Sequence, residues 1–311
     1  MTVGLLWALL ARADLSRAKE LLEHASWPLL AAAATAMFAT SPFSAFRWHV
    51  VLAAETTSPG PWTLLKIVLV GLFFNQVLPS GVGGDAVRAW RCHRLGIGVA
   101  AAIRSLVLDR VSGYFVLVVL FAAGIPMLLR VLPDPQQRYG VLALLAASLC
   151  GLFALFAMDY LPRPLLQWRL IAELAALSRE GRRLFTRPVR SAVLMGLSVA
   201  TVGLTILSFK LVADSLDVRL ALGNWIVIVP PVTLIQLVPV SVAGWGLREL
   251  GLVVVLAGFG IPSEAALTTS LLVGLCMVVV GLPGGLVWLT DWDMARVAGA
   301  KSERVAAPVD P

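Results

Sequence analysis

Two short segments of this 311-residue chain carry the same residue types in the same order, at an offset of 160 residues. Residues 76–88 and residues 236–248 share Gln, Pro, Val, Gly and Arg at equivalent positions. In each segment an apolar run ends at a proline, small residues follow, and an arginine closes the segment. Proline and glycine interrupt a helix and leave backbone polar groups uncovered, which hydrocarbon tolerates only beside protein or a water-filled cavity. The two segments therefore predict two broken helices around a common cavity.

The chemistry predicted for these breaks is the binding of an anion. A helix that restarts after Gly84 or Gly244 directs free N–H groups and the positive end of its dipole into the break. Arg88 and Arg248 each follow four residues later, so both kinds of donor are available to a phosphate group. The alternative is that the segments are loops between ordinary spans, with proline and glycine as turn residues.

Two further charged residues, Asp109 and Arg110, lie near the start of a long apolar segment. An ionisable side chain inside a span indicates function when it has a partner, and we expect Asp109 to meet an arginine of a broken segment. Together with the polar and small residues of the breaks, these two complete the predicted substrate site. Its members are Gln76, Pro79, Gly83, Gly84, Asp85, Arg88, Asp109, Arg110, Gln236, Pro239, Ser241, Gly244, Arg248 and Glu249.

Other basic and aromatic residues near the ends of apolar segments are interpreted as interfacial anchors. Arg47, Trp48 and His49 form such a group at the end of the first segment. Arg104 is expected to extend its side chain to the interface in the same way.

The overall composition places these residues in a polytopic membrane protein. Hydrophobic residues make up 59% of the chain and charged residues 14%, against about 45–50% and about 25% in soluble domains. The net charge is +7, which here indicates basic loops held against anionic lipid. We therefore expect no nucleic-acid partner.

Seven apolar segments have the composition of membrane helices. They cover residues 27–46, 62–79, 103–129, 139–160, 191–213, 221–239 and 264–290, whereas the run at 250–261 is too short to span alone. The loop at 161–190 contains seven arginines and two glutamates, so the positive-inside rule places it in the cytoplasm. Apolar residues recur in this loop at helical spacing, which predicts either a helix lying in the interface plane or a plain connector helix.

The predicted fold is all-α: a polytopic membrane helical bundle with two related halves and re-entrant or broken helices. We expect a single membrane domain over residues 1–311. It divides into an interfacial N-terminal segment (1–26), a first half (27–160), a cytoplasmic amphipathic linker (161–190), a second half (191–290) and a disordered tail (291–311). The apolar run at residues 3–10 is too short to cross a bilayer and is kept as part of the mature chain.

The sequence contains no recognisable catalytic or metal-binding motif. Cys92, Cys150 and Cys276 lie far apart without a CxxC pair, and the three histidines are equally scattered. These spacings favour neither a disulfide framework nor a metal site. We therefore expect a protein that is not an enzyme and that uses no cofactor or metal.

These features together resemble the lysylphosphatidylglycerol synthase transmembrane-region family, whose members are also described as flippase-like membrane proteins. The resemblance covers nearly the whole chain. It is carried by Arg47-Trp48, the run from Asn75 to Gly81, Gly83-Gly84-Asp85 with Arg88, Asp109-Arg110 followed by Gly113, and Pro239 with Gly244, Gly246, Arg248 and Glu249. The resemblance implies a bundle with two related halves and re-entrant segments that moves a lipid with a polar or charged head between leaflets. Two-domain relatives also carry a soluble aminoacyl-tRNA-dependent transferase, and this chain is expected to be a stand-alone member without it.

We therefore expect a lipid translocator in the inner or plasma membrane, acting on a phosphate-bearing or aminoacylated lipid. The expected partners are a membrane phospholipid or a polyprenyl-linked lipid, and a second copy of the chain or a lipid-modifying enzyme. Three alternatives remain: an intramembrane transferase acting on a lipid or polyprenyl phosphate, a transporter of a small soluble anion, and an accessory subunit of a lipid- or glycan-modifying enzyme.

Overall fold

The computed structural model describes residues 21–54, 56, 58–78, 83–160, 167–237 and 245–306. Side chains are described for all of these except residues 169–170 and 291–306. Four members of the predicted site, Pro79, Pro239, Ser241 and Gly244, lie outside the described residues, as does most of the N-terminal segment predicted to be interfacial.

The described part of the chain is helical and contains no β-strand, which confirms the all-α prediction. The first helices are α1 (Trp27–Leu52), α2 (Pro61–Val77), α3 (Gly83–Arg94), α4 (Val99–Val131) and α5 (Pro135–Ala157). A 3-10 turn (Met158–Tyr160) follows α5, and α6 (Arg169–Phe185) leads into the remaining helices. These are α7 (Pro188–Ser215), α8 (Leu222–Ile235), α9 (Leu247–Gly258) and α10 (Ser263–Ala306).

Five of the described helices are long and apolar enough to cross a membrane: α1, α4, α5 with its 3-10 turn, α7, and α10 as far as Thr290. By contrast α2 and α8 have only 17 and 14 residues. At 1.5 Å per residue they are about 26 and 21 Å long, shorter than a hydrocarbon core of about 30 Å. The prediction of full spans at 62–79 and 221–239 is therefore wrong, because each helix ends where its break begins.

The equivalent helices α1 and α7 run antiparallel. The backbone N–H of Ser26, just before α1, donates to the carbonyl oxygen of Ser215 at the end of α7, at 3.0 Å. At the other end of the pair, Val51 of α1 and Leu194 of α7 belong to one buried apolar cluster. The start of each helix therefore lies beside the end of the other.

Four helices, α1 to α4, recur in the same order as α7 to α10, and the second set runs in the opposite direction. α7, α8, α9 and α10 begin 161, 161, 164 and 164 residues after α1, α2, α3 and α4. Packing partners correspond as well, because α2 packs on α10 and α8 packs on α4. Since α1 and α7 are antiparallel, the axis that relates the halves lies across them, which is the arrangement of an inverted repeat.

The first unit of helix, break and helix, α2 to α3, has both outer ends at the same end of the bundle. α2 begins beside the end of α1, where the carbonyl oxygen of Pro59 lies 3.1 Å from His49 Nδ1. Four residues separate α3 from α4. The first turns of α4 contact α6 through Arg104, and α6 contacts the end of α1 through an apolar cluster. The outer ends of α2 and α3 therefore lie at the end of the bundle that carries α6.

The second unit, α8 to α9, lies at the opposite end of the bundle. α8 follows the end of α7 after six residues. Gly258, the last residue of α9, packs against the backbone of Val131 at the end of α4. The two units therefore enter the bundle from opposite ends.

α6 is amphipathic, and much of its apolar side packs on the protein. Leu177 and Leu184 are buried in a cluster with Val51, Leu108 and Leu194. Arg104 Nε donates to Glu180 at 3.0 Å and Arg104 Nη1 to Glu173 at 3.1 Å. The guanidinium of Arg104 therefore ties α4 to α6, a contact that its interpretation as an interfacial anchor did not include.

The backbone of α10 remains helical as far as Ala306. The tail predicted to be disordered from residue 291 thus begins on this helix, and its disorder stays a prediction. Residues 291–306 contain no proline and many residues that favour a helix, such as alanine, arginine and glutamate.

Candidate functional site

A buried hydrogen bond joins Arg47 of α1 to Asp109 of α4. Arg47 Nε donates to Asp109 Oδ1 at 2.8 Å, and Asp109 is 2% exposed. Arg47 Nη1 also donates to Ser198 Oγ of α7 at 3.3 Å. Asp109 lies ten residues into α4, about 15 Å along the helix axis. An ion pair therefore lies well inside an apolar bundle.

Arg88 of α3 extends towards the same aspartate. Its Nη1 donates to Asp85 Oδ1 at 3.3 Å, and its Nη2 lies 3.6 Å from Asp109 Oδ2. The guanidinium carbon stands 4.2 Å from the centre of the Trp48 ring, a cation–π contact. Arg88 is 8% exposed, and within the described residues its Nε and Nη2 have no hydrogen-bond partner.

Arg110 completes what we call the first charge cluster: Arg47, Asp85, Arg88, Asp109 and Arg110. Its Nε donates to Asp85 Oδ2, while nearly half of its own side chain is exposed. Three guanidinium groups thus surround two carboxylates, which leaves one net positive charge.

Glycines allow the helices around this cluster to approach closely. Gly84 N donates to Asn75 Oδ1 at 2.9 Å, and a Cβ on Gly84 would overlap that amide and the backbone of Gly71. The Arg88 side chain crosses Gly71, where a Cβ would lie 2.8 Å from Arg88 Cγ and Cδ. A larger residue at Gly71 or Gly84 would move α3, and Arg88 with it, away from α2.

The second break carries a different cluster, formed by Arg248, Glu249 and Ser270, which we call the second charge cluster. Arg248 Nη2 donates to Glu249 Oε1 at 2.6 Å, and Arg248 Nε donates to Ser270 Oγ at 3.1 Å. Both charged residues are almost completely buried. The Arg248 guanidinium also stacks 4.7 Å from the centre of the Trp245 ring. This pair is neutral and its donors are largely used within the protein.

The first N–H groups of the restarted helices are partly occupied. At α9 the Glu249 side chain accepts from the backbone N–H of Gly246, the residue before the helix, which is the one half of a capping box that a glycine at this position permits. At α3 the N–H of Gly84 is taken by Asn75. The expectation that these N–H groups are free for an anion is therefore wrong for both groups, because side chains of the protein already accept from them.

Comparison with known families identifies the chain. The family model described as lysylphosphatidylglycerol synthase TM region matches residues 1–285. The chain belongs to this family. No curated protein and no solved structure matches it. The family is a membrane domain associated with lipid modification or flipping, and the protein is a multi-pass integral membrane protein.

In this family member the structure brings together only part of the residues predicted as one site. Asp85, Arg88, Asp109 and Arg110 meet in the first charge cluster. Arg248 and Glu249 meet each other, and no described hydrogen bond or ion pair joins them to the first cluster. The expectation of one cavity lined by Arg88 and Arg248 together is thus not met among these contacts, because each arginine is paired within its own half.

The remaining described members of the predicted site contact their surroundings in other ways. Gln236 Nε2 donates to the carbonyl oxygen of Val232, one turn back on its own helix, at 2.9 Å. Gln76 packs against Gly281 of α10, and Gly83 against Leu78 at the end of α2. These three residues support the packing of the two broken helices rather than the charge clusters.

The sequence interpretation missed Arg47 and Trp48 as site residues. Both were taken as interfacial anchors, yet Arg47 is paired with Asp109, and Trp48 lies beneath Arg88 and donates from Nε1 to Ser105 Oγ at 3.1 Å. The signal that was available is the family resemblance, in which Arg47-Trp48 is one of the motifs. Their position near a helix end hid the role, because an anchor is the commoner use of such residues.

A small hydroxyl-lined cavity adjoins the first charge cluster. It has a volume of about 160 Å³ and lies between α1, α4, α7 and α8. Its polar lining is Arg47, Thr40, Ser44, Thr201, Thr205 and Thr233. A polar cavity of this size is large enough for several water molecules. It extends the polar surroundings of Arg47 into the contact between the two halves.

Proposed function

We propose that this protein moves a phosphate-bearing or aminoacylated lipid between the leaflets of a membrane, with the head group held at the first charge cluster. The observation that carries the proposal is the net positive charge of this cluster. Arg88 is buried in it with two guanidinium nitrogens that have no hydrogen-bond partner among the described residues.

An uncompensated cation in an apolar bundle is costly, by about 2.5–3.5 kcal/mol on insertion scales for an arginine at the centre of a span. A phosphate oxygen would supply the missing acceptor and the missing negative charge at once. Guanidinium and phosphate form paired, charge-assisted hydrogen bonds, which makes arginine the preferred residue for such a contact. Asp109 is paired with Arg47, and Asp85 is paired with Arg110. Arg88 is therefore the arginine of the cluster that can exchange its carboxylate partner for the phosphate of the substrate.

The arrangement of the breaks supports a transport function. The units α2 to α3 and α8 to α9 approach from opposite ends of the bundle, and each contains a helix too short to span. We propose that both are re-entrant in the membrane, as in transporters built from inverted repeats. The hydroxyl-lined cavity between the halves would give the head group a polar path, while the acyl chains stay in the bilayer.

The arginines of α6 support a cytoplasmic location for this helix by the positive-inside rule. With α6 in the cytoplasm, the first charge cluster is reached from the cytoplasmic leaflet and the second from the outer leaflet. We propose the inner or plasma membrane as the location, since membranes of this kind supply both anionic lipid and such a charge asymmetry.

The test is leaflet exchange in proteoliposomes that contain the full chain and phosphatidylglycerol labelled on an acyl chain with a dithionite-sensitive fluorophore. The wild type is expected to expose the inner-leaflet label to dithionite. Arg88→Gln should leave the cluster neutral, with two arginines and two aspartates, so the fold is retained and exchange is lost. The matched control is Arg219→Gln, which removes an arginine from an exposed ion pair with Asp217. Exchange at the wild-type rate in Arg88→Gln would refute the assignment.

The same vesicles separate this proposal from its alternatives. Modification of the labelled lipid, detected by mass spectrometry, would indicate an intramembrane transferase. Uptake of soluble phosphate without lipid exchange would indicate a transporter of a small anion. Exchange that appears only with a copurified enzyme would indicate an accessory subunit.

A further inference from the structure

A separate basic cavity lies at the end of the bundle that carries α6. Its volume is about 350 Å³, and it lies between α6, the end of α1 and the first turns of α4 and α7. Val51, Leu108 and Leu184 form its buried apolar wall. None of the five residues of the first charge cluster lines this cavity. It is therefore a second site with its own chemistry.

Arginines dominate the rest of the lining. Arg104, Arg183, Arg187 and Arg190 face the cavity with a single carboxylate, Glu180. That carboxylate is already engaged, because Arg104 Nε donates to it at 3.0 Å. Across the part of the chain that the structure describes, no ion pair involves the other three arginines. The lining thus carries three positive charges in excess.

The dipoles of the helices that begin or end at the cavity change this positive charge little. α4 and α7 begin here and present the positive ends of their dipoles, whereas α1 and α6 end here and present the negative ends. Because two ends of each sign meet, the net contribution of the dipoles is small. The arginine side chains therefore determine what the cavity attracts.

The level of the cavity indicates the kind of anion. α4 and α7 are both long and apolar enough to cross a membrane, and the cavity lies at their first turns. Lipid head groups lie at this level of a spanning helix. Basic pockets between membrane helices at the cytoplasmic side are suited to anionic head groups. A soluble anion would meet the same arginines but would have no acyl chains to place beside the apolar wall.

We propose that this cavity binds the phosphate of an anionic phospholipid head group. The phosphate accepts charge-assisted hydrogen bonds from Arg183, Arg187 and Arg190, and its single negative charge offsets one of their three positive charges. Since these residues belong to α6, to the residue before α7 and to the first turn of α7, the bound lipid fastens the linker helix to the second half. The site is independent of the transport function proposed above, but it rests on the cytoplasmic location proposed there for α6.

The test measures the thermal unfolding of the purified full chain in a neutral detergent, by tryptophan fluorescence, during titration with dioctanoyl-phosphatidylglycerol. In the wild type the lipid is expected to raise the Tm with a saturable dose dependence. Each arginine near an anionic lipid contributes about 1 kcal/mol, or about fivefold in affinity. Arg183→Gln with Arg187→Gln should therefore weaken the apparent affinity by about 25-fold.

The matched control is Arg179→Gln, since Arg179 is exposed on the same helix and does not line the cavity. This variant should respond to the lipid as the wild type does. A parallel titration with glycerol 3-phosphate distinguishes the sources: a response only to the lipid assigns the site to a head group, and an equal response to both would overturn the lipid assignment. Equal affinities of the double variant and the control, or an equal response to dioctanoyl-phosphatidylcholine, would overturn the proposal.

Discussion

Arg47 Nε lies 2.8 Å from Asp109 Oδ1 and so joins α1 to α4 across 62 residues of sequence. The same carboxylate lies 3.6 Å from Arg88 Nη2 through its other oxygen. Asp109 is therefore the residue on which two buried arginines from two different helices converge. The pairing of these three side chains decides which arginine of the first cluster is left without a close carboxylate partner.

Replacement of Asp109 should destabilise the fold strongly. Asp109→Asn removes the carboxylate shared by Arg47 and Arg88, and breaking a buried ion pair from one side costs about 3–5 kcal/mol. We expect a lower midpoint of unfolding for the detergent-solubilised protein, followed by tryptophan fluorescence. Asp217→Asn is the control, because Asp217 belongs to an exposed ion pair and such pairs contribute about 0–1 kcal/mol. Adding Arg88→Gln to Asp109→Asn should recover part of the lost stability. If Asp109→Asn and Asp217→Asn are equally stable, the prediction is wrong.

The second charge cluster should be replaceable without loss of transport. Arg248→Met alone leaves Glu249 buried and unpaired, so we expect a large loss of stability. Arg248→Met with Glu249→Gln removes both charges, retains an acceptor for the backbone N–H of Gly246, and should recover most of the stability. Because this pair is neutral and uses its donors internally, the double variant should still exchange lipid in the proteoliposome assay. Loss of exchange in a stable double variant would show that Arg248 contacts the substrate.

Filling the hydroxyl-lined cavity should slow leaflet exchange. Ser44→Leu places an apolar side chain where the cavity meets Arg47 and removes a polar group from the path proposed for the head group. Exchange of labelled phosphatidylglycerol is expected to fall, with the Tm lowered by less than in Asp109→Asn. Thr35→Leu is the control on the same helix, since Thr35 is exposed and donates to the carbonyl oxygen of Ala31. If the two variants exchange lipid at the same rate, the cavity is not part of the path.

Much of the fold could be predicted from the sequence because its signals are local. Composition identifies a membrane protein, and runs of apolar residues locate α1, α4, α5, α7 and α10, since a span depends only on its own residues. The offset of 160 residues between the two breaks lies close to the 161–164 residues that separate equivalent helix starts. The segments predicted at 62–79 and 221–239 were too long, because α2 and α8 end at Val77 and Ile235, ahead of the prolines at which the breaks were predicted.

The candidate site was harder to predict because its contacts join residues that lie far apart in the sequence. Asp85, Arg88, Asp109 and Arg110 were chosen as charges at breaks or inside a span. Arg47 was set aside because its position near a helix end is typical of an anchor, and only the packing of α1 on α4 shows its partner. Arg248 and Glu249 were both placed in the predicted site, but only the structure shows that they pair with each other rather than with the first cluster.

By itself, the sequence determined that this chain lies in a membrane, where its helices begin and break, and which charged residues would be costly to bury. These properties follow from residue types and short-range spacing. Only the tertiary structure decided that α1 and α7 run antiparallel. It also decided that three arginines share two aspartates in the first half, whereas Arg248 of the second half forms a neutral ion pair with Glu249. Such pairing depends on distances between helices, and the energy of a buried charge depends on the few atoms that surround it.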